Sequence, residues 1–457
     1  TIPIEIAEEG LYCLSFDYIP KESNFSAISF SLRINGELQF DSMDMLTLDR
    51  PWQNVGERKT DSRGNEILPE QAEVREWTQE TLKDPQGRYN DPLEFYFQAG
   101  VNEIQLTAVY DGFAISKITA FNAEKPQPYS QVQKQYEQNN YQKTDHQLQF
   151  IEAEDYIEKS DSTILPDSDK RDTMTQPNDP VKMLYNMVPG ERYSTTGQWI
   201  KWKFTVAETG LYQISFRVRQ AEKSGFTSNR KLYINDEVVF EECNILSFAS
   251  SNSWYRQTLG DDNGAFWFYF EAGKEYELKL EAVPGAFSDT TLVLDDCIYQ
   301  LNTLYRSVVM IAGTNPDKYR DYKLASEIPN FKETVQNLLQ TLKEQEQKII
   351  AINGGKSGSE LTAIRSLVNR LDTVFDNPDF LAKTLSSFKS DIESLSAWNM
   401  DAKEQPLDLD YIAIHSENVV LPAQRDNFFQ RIWFELRRLI ASYGEDYGVI
   451  GDSDEAM

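Results

Sequence analysis

Residues 7–16 read AEEGLYCLSF and residues 207–216 read AETGLYQISF, so nearly the same segment occurs twice, 200 positions apart. Seven of the ten positions are identical, from Ala7 and Ala207 to Phe16 and Phe216. Chance does not produce such agreement, and internal similarity at a fixed distance is the mark of a duplicated structural unit. The sequence therefore predicts two copies of one domain.

The same offset continues beyond these two segments. LRINGELQF at 32–40 aligns with LYINDEVVF at 232–240, and both contain a two-residue turn signal, Asn35-Gly36 or Asn235-Asp236. Such pairs between apolar runs predict a β-hairpin. Each copy is thus expected to contain a hairpin at this point.

The alignment shifts once inside the repeat. FYFQAG at 95–100 aligns with FYFEAG at 268–273, now 173 positions apart, because the first copy is longer before this point. We assign the extra residues to an insertion over 53–92 and expect an ordered excursion outside the sandwich. IQLTAV at 104–109 and LKLEAV at 278–283 alternate apolar and polar residues, as half-buried strands do. Short alternating strands between turns predict antiparallel, jelly-roll-like β-sandwiches.

The first sandwich is assigned to 1–121 and the second begins at 148, after a linker at 122–147 that is rich in Gln, Tyr and Pro. About 50 residues of the second copy precede AETGLY, but only six precede AEEGLY in the first. We therefore expect the opening strands of the first copy to lie upstream of residue 1.

The apolar period becomes helical beyond residue 288, and it predicts a helical bundle over 289–405. The closing strand of the second sandwich comes only after this bundle, since Leu409–Ile414 repeats the pattern of Ile115–Ala120. The fold class is thus all-β plus all-α: two antiparallel β-sandwiches, the second formed by 148–288 and 406–416, with a helical bundle inserted in it. Insertion at a surface turn is tolerated because loop-closure entropy grows slowly with length.

Residues 417–457 contain one further helix with an apolar face. Its large side chains recur at helical spacing, as Phe428, Ile432, Trp433, Leu436, Leu439 and Ile440. We expect it to pack on the bundle and to lead into a domain outside this sequence.

The composition excludes several classes of function. A net charge of −28 excludes a nucleic-acid partner, because phosphate binding needs a basic face. The sequence contains no apolar run that reaches the roughly 18 residues of a membrane span. Three cysteines without paired spacing are expected to be buried free thiols, and two histidines cannot supply a His-rich zinc site. We predict that the chain is not an enzyme, although 73 acidic residues leave a glycosidase pair open.

Aromatic residues outside the strand pattern are the candidate ligand contacts. We place Trp52 opposite Trp254 in the repeat, two residues out of step. Flat exposed rings stack on the apolar faces of sugars, so these residues and their neighbours are carbohydrate-binding candidates. The alternative, that they cover the sandwich edge or pack on a neighbouring domain, remains open. The candidates are Trp52, Trp77, Tyr89, Trp254, Tyr255 and Arg256.

Several stretches together carry a family resemblance: IEAEDY at 151–156, SNRKLYINDEVVFEECNILSF at 228–248, LNTLYRSVVMIAGTNPDKYRDYKLASEIP at 301–329, SFKSDIESLSAW at 387–398 and EQPLDLDYIAI at 404–414. The sandwich segments resemble family 6 and family 35 carbohydrate-binding modules. The whole order resembles the amino-terminal region of the large extracytoplasmic solute-binding proteins of Gram-positive carbohydrate ABC importers.

This resemblance implies a non-catalytic, carbohydrate-associated or scaffolding region of a surface protein, held by a lipid anchor outside this sequence. Saccharide is the implied ligand, and the permease is contacted through a clamshell domain that follows this region in the family. No alternating βαβ pattern occurs here, so that clamshell is expected beyond residue 457. Two alternatives stay open: an accessory carbohydrate-binding region of a surface glycoside hydrolase, and a surface adhesin or assembly module.

The resemblance also implies a metal. No cofactor is required, but in the carbohydrate-binding modules the opening strand and the closing aspartate share a structural calcium. Glu152, Glu154 and Asp410 would be its ligands here, and carboxylates suit that cation. The first copy has Ser116 where Asp410 stands, and it is expected to bind none. The alternative is that these acids form hydrogen bonds without metal.

Overall fold

The computed structural model describes residues 1–21, 28–110, 112–224, 226–355 and 361–424, together with 432–434, 436, 437 and 439. It has the predicted fold class, with two antiparallel β-sandwiches and a helical bundle inserted in the second. Each of the three units has its own buried apolar cluster.

The first sandwich and its insertion occupy the chain up to Phe121. The strands are β1 (Ile2–Ile6), β2 (Gly10–Pro20), β3 (Ile28–Ile34), β4 (Leu46–Leu48), β5 (Trp52–Val55), β6 (Lys59–Thr60), β7 (Glu66–Ile67), β8 (Glu70–Glu73), β9 (Thr78–Thr81), β10 (Glu94–Phe97), β11 (Gly100–Tyr110) and β12 (Phe113–Phe121). One sheet has the order β1-β11-β3-β4, and the other has β10-β2-β12 with β9 also paired to β2. Inward side chains such as Phe16, Phe30 and Phe95 form the core between the sheets.

The segment 122–147, which the sequence assigns to a linker, is not irregular throughout. It contains α1 (Tyr129–Gln138), and Tyr129 and Val132 of this helix lie in the core of the second sandwich. The Tyr129 ring packs 4.9 Å from that of Phe240 and 4.7 Å from that of Phe266, measured between centroids. Tyr136 packs against the same core, so three side chains at positions i, i+3 and i+7 anchor the helix, and its other residues are polar.

The second sandwich begins with β13 (Leu148–Glu152) and is interrupted by a long irregular segment before its third strand. Its further strands are β14 (Glu158–Lys159), β15 (Trp199–Thr205), β16 (Gly210–Gln220), β17 (Ser228–Ile234), β18 (Leu246–Phe248), β19 (Ser251–Thr258), β20 (Gly260–Asp261), β21 (Gly264–Ala265), β22 (Phe268–Phe270) and β23 (Glu275–Ala282). Strands β18-β17-β23-β15-β14 form one sheet, and β13, β16 and β19 belong to the other.

The bundle follows β23, and the last strand of the sandwich follows the bundle. The helices are α2 (Ser288–Ala312), α3 (Leu324–Glu327), α4 (Phe331–Ile352), α5 (Leu361–Asp376), α6 (Phe380–Lys383) and α7 (Leu385–Asp401), and the returning strand is β24 (Asp408–His415). Strand β24 lies between β13 and β16.

The register of β24 confirms that the bundle is inserted before the last strand. Ile412 pairs with Phe216 in the second sandwich as Ile118 pairs with Phe16 in the first. The ladder shifts by one residue at the same place in both copies, around Asp410 and around Ser116. The bulge therefore lies at the equivalent position in both sandwiches, at Ser116 and at Asp410.

The structure contains the two predicted turns but not the second strand that was predicted directly after each turn. Asn35 and Asn235 have positive φ angles of 53°, as the turn requires, and each turn closes with a single bridge, Ile34 to Glu37 or Ile234 to Glu237. The chain then enters a short 3-10 turn instead of a second strand. The return strand forms only after this turn, where β4 pairs with the first residues of β3 and β18 with the first residues of β17.

The final helix differs from the prediction in its packing. Its described residues are helical, yet Ile432, Trp433, Leu436 and Leu439 are all exposed, between 43% and 62%. Packing of this face on the bundle is therefore not found, while Phe428 and Ile440 lie outside the described residues.

Candidate functional site

The six predicted carbohydrate-binding residues do not converge on one site. Trp52 and Trp254 are buried, at 8% and 4% exposure, whereas Trp77 and Tyr89 are 58% and 45% exposed. A stacking platform must present its ring to solvent, so Trp52 and Trp254 cannot serve as one in this conformation. Of the four tryptophans and tyrosines named here, only the latter two offer a free ring edge or face.

Trp254 is enclosed by groups of its own sandwich. Its indole nitrogen donates a 2.9 Å hydrogen bond to Asp169 in the long segment between β14 and β15. The guanidinium carbon of Arg219 lies 4.6 Å from the ring centroid, and that of Arg217 lies 5.2 Å from it. A cation over an indole face is a favourable electrostatic contact. The loop residue and the two arginines thus occupy the positions that a ligand would use.

The two neighbours of Trp254 are also held by the chain itself. The Tyr255 hydroxyl donates to the Ala249 carbonyl at 2.9 Å, and Arg256 donates to the Pro422 carbonyl at 2.8 Å. The contact of Arg256 fastens the segment after β24 to β19, and that of Tyr255 closes the turn between β18 and β19. For Tyr255 and Arg256, the geometry therefore supports packing within the protein and not ligand binding.

Strand register corrects the alignment of the tryptophans. Ser15 pairs with Thr81 and Asp17 with Gln79, just as Ser215 pairs with Thr258 and Arg217 with Arg256. Strand β9 is therefore the counterpart of β19, and Trp77, not Trp52, is the counterpart of Trp254. The sequence signal was present, since Trp77 stands one residue before β9 and four before Thr81, as Trp254 stands four before Thr258.

The buried Trp52 belongs to a different structure, a junction between the two sandwiches. Part of the insertion crosses to the second sandwich, where β5 pairs with β14 and β8 pairs with β5, extending that sheet by two strands. The prediction of an excursion outside the first sandwich over 53–92 is therefore right only in part, because β9 pairs with β2 and Leu82 lies in the core of the first sandwich. The second sandwich as the support of the remaining part was not foreseen. The insertion carries few apolar residues, so its sequence gives no sign of that partner.

Lys159 of β14 lies at the centre of the junction and is fully buried. Its ammonium donates to Gln71 of the insertion at 2.9 Å and to the carbonyls of Ser162 and Ile164 at 3.0 and 2.5 Å. Burial lowers the pKa of this amine to about 8, with nearby Asp161 opposing the shift. The three acceptors satisfy the ammonium, and the hydrogen bond to Gln71 holds the insertion against the second sandwich.

Further charged contacts extend the junction. The Trp199 indole nitrogen donates to Asp49 at 2.8 Å, and the Lys83 ammonium lies 2.8 Å from Glu281. Glu281 also accepts a 2.7 Å hydrogen bond from Tyr233. Charged hydrogen bonds of this length are about twice as strong as neutral ones, and their geometry is specific.

The insertion also reaches the bundle. Asn90 exchanges two hydrogen bonds with the backbone of Gly285, at 2.8 and 2.9 Å. Ser288, the first residue of α2, donates to the Arg88 carbonyl at 2.6 Å. A single segment of the first sandwich therefore contacts both of the other units.

The predicted metal ligands lie near one another at the start of the second sandwich. Burial raises the pKa of Glu154 to about 9, and it raises those of Glu152 and Asp410 to about 7. One oxygen of Glu154 and one of Asp410 are buried without a hydrogen-bond partner. Carboxylates in such surroundings favour either a proton or a bound cation.

The other oxygen of Asp410 is already engaged. It pairs with Arg217, whose guanidinium also lies 2.5 Å from Asp172. Within the described residues, no group of three or more His, Cys, Asp and Glu side chains is arranged to hold a metal. The two unpartnered oxygens of Glu154 and Asp410 suit a cation, but the acidic side chains as a whole are not arranged as a metal site. Calcium therefore stays a prediction.

Sequence reasoning missed Arg217 and Arg219. They stand where the first copy has Asp17 and Ile19, inside an otherwise matching segment. A change from acid to base at an outward strand position was the available signal that the two sheets face different surroundings.

Comparison with known families matches residues 289–398 to the bacterial solute-binding protein 4-helix bundle domain. The matched residues span most of α2 and continue into α7. No protein of curated function matches the chain.

Solved structures give weaker likenesses. A cycloisomaltooligosaccharide glucanotransferase from Paenibacillus is 22% identical over 30% of this chain and 16% of that chain, with a TM-score of 0.21. A family 35 carbohydrate-binding module from Clostridium thermocellum is 14% identical over 30% of this chain and 86% of that one, with a TM-score of 0.21. The C-terminal family 6 module of a Zobellia galactanivorans laminarinase is 16% identical over 30% and 90%, with a TM-score of 0.20. Scores this low carry no argument about function.

Among the described residues, no helix is long and apolar enough to cross a membrane.

Proposed function

We propose that this chain is a non-catalytic, carbohydrate-associated scaffolding region of an extracellular solute-binding protein that serves an ABC importer. One observation carries the proposal. The insertion of the first sandwich adds β5 to the sheet of the second, and it hydrogen-bonds the start of α2, the first helix of the segment that matches the solute-binding bundle. One segment of the chain therefore joins all three units.

The chemistry of the junction favours a fixed arrangement. Lys159 and Glu281 are charged groups removed from water, and Lys159 donates across the boundary to Gln71 while Glu281 accepts across it from Lys83. Separation of the sandwiches would take Gln71 from the Lys159 ammonium and Lys83 from the Glu281 carboxylate, and the loss of a partner is costly for a buried charged group. A rigid region of this kind suits the presentation of a sugar-capturing domain at a fixed place.

In this proposal the transported sugar is captured by a domain that follows the region, and that domain contacts the permease. The protein works outside the cell and is held at the surface by a lipid anchor in a segment beyond this sequence.

Uptake of radiolabelled oligosaccharide tests the proposal in cells that depend on the full-length protein. Lys83→Met combined with Asn90→Ala removes junction contacts to Glu281 and Gly285. We expect slower uptake at an unchanged surface amount of protein. Lys348→Met combined with Gln347→Ala changes two exposed residues of α4 and serves as the matched control. Normal uptake after deletion of residues 1–121 from the full-length protein would refute the scaffolding function.

The non-catalytic part has its own test. The purified chain is incubated with a panel of chromogenic glycosides, and we expect no release of chromophore. Turnover that disappears on changing one carboxylate would instead favour a glycosidase.

We also propose that Ca²⁺ binds at Glu152, Glu154 and Asp410. The two unpartnered buried oxygens and the raised pKa values of all three acids support this. A bound cation would favour the ionised carboxylates that burial disfavours.

A further inference from the structure

We propose that the outward face of the sheet formed by β10, β2 and β12, together with β9, binds a neutral oligosaccharide of hexopyranose units, with Trp77 as its stacking platform. This site deepens the carbohydrate-associated function proposed above and rests on it. It lies on the first sandwich only.

The second sandwich provides the comparison from which the site is inferred. There, Trp254 stacks with Arg219 and Arg217 and donates from its indole nitrogen to Asp169. At this position of the second sandwich, flat guanidinium groups cover the indole face, and a carboxylate oxygen accepts a hydrogen bond from the indole nitrogen. In the first sandwich Trp77 holds this position with its ring 58% exposed.

A second, independent observation lies beside it. Ser215 in the second sandwich exchanges hydrogen bonds with Thr258 at 2.7 Å and His415 at 2.8 Å. Its counterpart Ser15 is only 4% exposed, yet its hydroxyl has no hydrogen-bond partner. A buried hydroxyl without a partner is costly unless another molecule supplies one.

Polar side chains surround Trp77 and Ser15 on the same face. Asp17 pairs with Gln79 on one side and with Lys117 on the other, and Ser15 likewise pairs with Thr81 and Thr119. Residues paired across antiparallel strands point to the same side of a sheet. The exposed amide of Gln79 and amine of Lys117, with the partly exposed carboxylate of Asp17 and the threonine hydroxyls, offer both donors and acceptors, as the hydroxyls of a sugar require.

Charge favours a neutral ligand. Asp17 and Lys117 lie opposite each other in the ladder and balance, and Glu94, which pairs with Cys13 on the same face, adds a negative charge that disfavours an acidic ligand. Besides Trp77, the same face carries a second exposed aromatic ring, since Tyr96 is 45% exposed and pairs with the exposed Leu11. A pyranose ring, apolar on one face and hydroxylated around its edge, matches one indole surrounded by hydrogen-bonding groups.

Isothermal titration of the whole chain with maltohexaose, cellohexaose, laminarihexaose and mannohexaose tests the site. We expect at least one of them to bind, and Trp77→Ala to weaken that binding about tenfold or more. Trp433→Ala is the matched control, because Trp433 is 62% exposed but lies on the final helix, and we expect it to bind as the wild type does. Asp17→Asn and Lys117→Ala are each expected to weaken binding severalfold.

Two results would overturn the site: no binding of any of the four hexaoses at millimolar concentration, or wild-type affinity in Trp77→Ala with unchanged circular dichroism. Neither result bears on the scaffolding function, since uptake in cells is measured separately and depends on the junction. Slow uptake in the junction variant, together with no heat of binding in the titration, would refute the oligosaccharide site and leave the scaffolding function supported. Normal uptake in the junction variant, together with clear binding in the titration, would refute the scaffolding function and leave the oligosaccharide site supported.

Discussion

The two sandwiches have the same strands on the inside and different surroundings on the outside. Phe16 and Phe216 are both completely buried in their cores, and the closing strands that pair with them, β12 and β24, carry the same bulge. One residue further on, Asp17 is partly exposed while Arg217 is 1% exposed and ion-paired. A duplicated domain thus kept its interior while its outward positions diverged.

The difference follows from strand geometry. Successive side chains of a strand point to opposite faces, so a single segment can preserve one face while it changes the other. In the second sandwich the outward side chains hold a long loop and the segment after β24. In the first sandwich the described residues leave the equivalent face open. The comparison predicts that matched substitutions in the two copies have unequal effects.

The largest effect is expected at Arg217. Replacement by Met removes the charge that pairs with the buried carboxylate of Asp410 and with Asp172. Loss of one partner of a buried ion pair costs about 3–5 kcal/mol in the free energy of unfolding. Chemical denaturation followed by circular dichroism measures this loss.

Asp17→Asn is the matched control for Arg217→Met, since it changes the equivalent position of the first sandwich. We expect its free energy of unfolding to stay within about 0.5 kcal/mol of the wild type. Equal losses in the two variants would contradict the distinction between a covered and an open face.

A smaller effect separates the two glycines of the repeated segment. A Cβ atom on Gly210 would lie 2.7 Å from the Gln142 carbonyl oxygen and 2.7 Å from a Thr144 methyl carbon, because the linker passes over it. Gly210→Ala should therefore cost about 1–3 kcal/mol in the free energy of unfolding. The corresponding atom on Gly10 would meet only the Tyr12 ring, at 3.8 Å.

Gly10→Ala is accordingly expected to leave stability unchanged or to raise it by about 0.4–1 kcal/mol, through a lower entropy of the unfolded chain. Thermal melts of both variants decide the matter. A Gly10→Ala loss as large as that of Gly210→Ala would mean that the first copy has a covering segment of its own.

The smallest effect concerns metal and pH. The raised pKa values of Glu152, Glu154 and Asp410 mean that, without a cation, their contribution to stability is complete below pH 4 and is lost as the pH rises through about 7 and then about 9. In chelator we therefore expect Tm to fall between pH 5 and 9. Added Ca²⁺ should restore it by about 2–4 °C for each kcal/mol of binding free energy.

Glu154→Gln should remove the part of this pH dependence that extends to about pH 9, together with the response to Ca²⁺. The first sandwich, which has Ser116 in place of Asp410, should melt alike with and without chelator. Identical melting of the second sandwich under both conditions would leave the acids protonated or hydrogen-bonded and would exclude calcium.

Sequence periodicity sufficed for the elements and for the inserted bundle, because both depend on inward residues. Ile118 and Ile412 occupy the same register, and the alignment of their two strands was readable from the sequence despite the helices between β23 and β24. The helix of the linker escaped detection because its contacts with Phe240 and Phe266 are made across the domain and not within the segment.

The candidate site was harder to predict because exposure is a tertiary property. Trp77 and Trp254 are both tryptophans on outward positions of equivalent strands, and only the covering segments distinguish them. The junction was equally hidden: Trp52 is buried by β14, a two-residue strand more than a hundred positions away. Residue type identified the aromatic candidates, and packing decided which of them can meet a ligand.

The position of the bundle also sets an order of events during synthesis. Strand β24 pairs with β13 and β16, yet residues 283–407 must be translated after β23 before it is complete. At about 5–20 residues per second, the ribosome takes roughly 6–25 s to make this stretch. Throughout that interval the second sandwich lacks a central strand of one sheet, so β13 and β16 each have an unpaired edge open to aggregation or to a chaperone. The first sandwich and the bundle can fold in the meantime, and the second sandwich closes last, between two neighbours that are already formed.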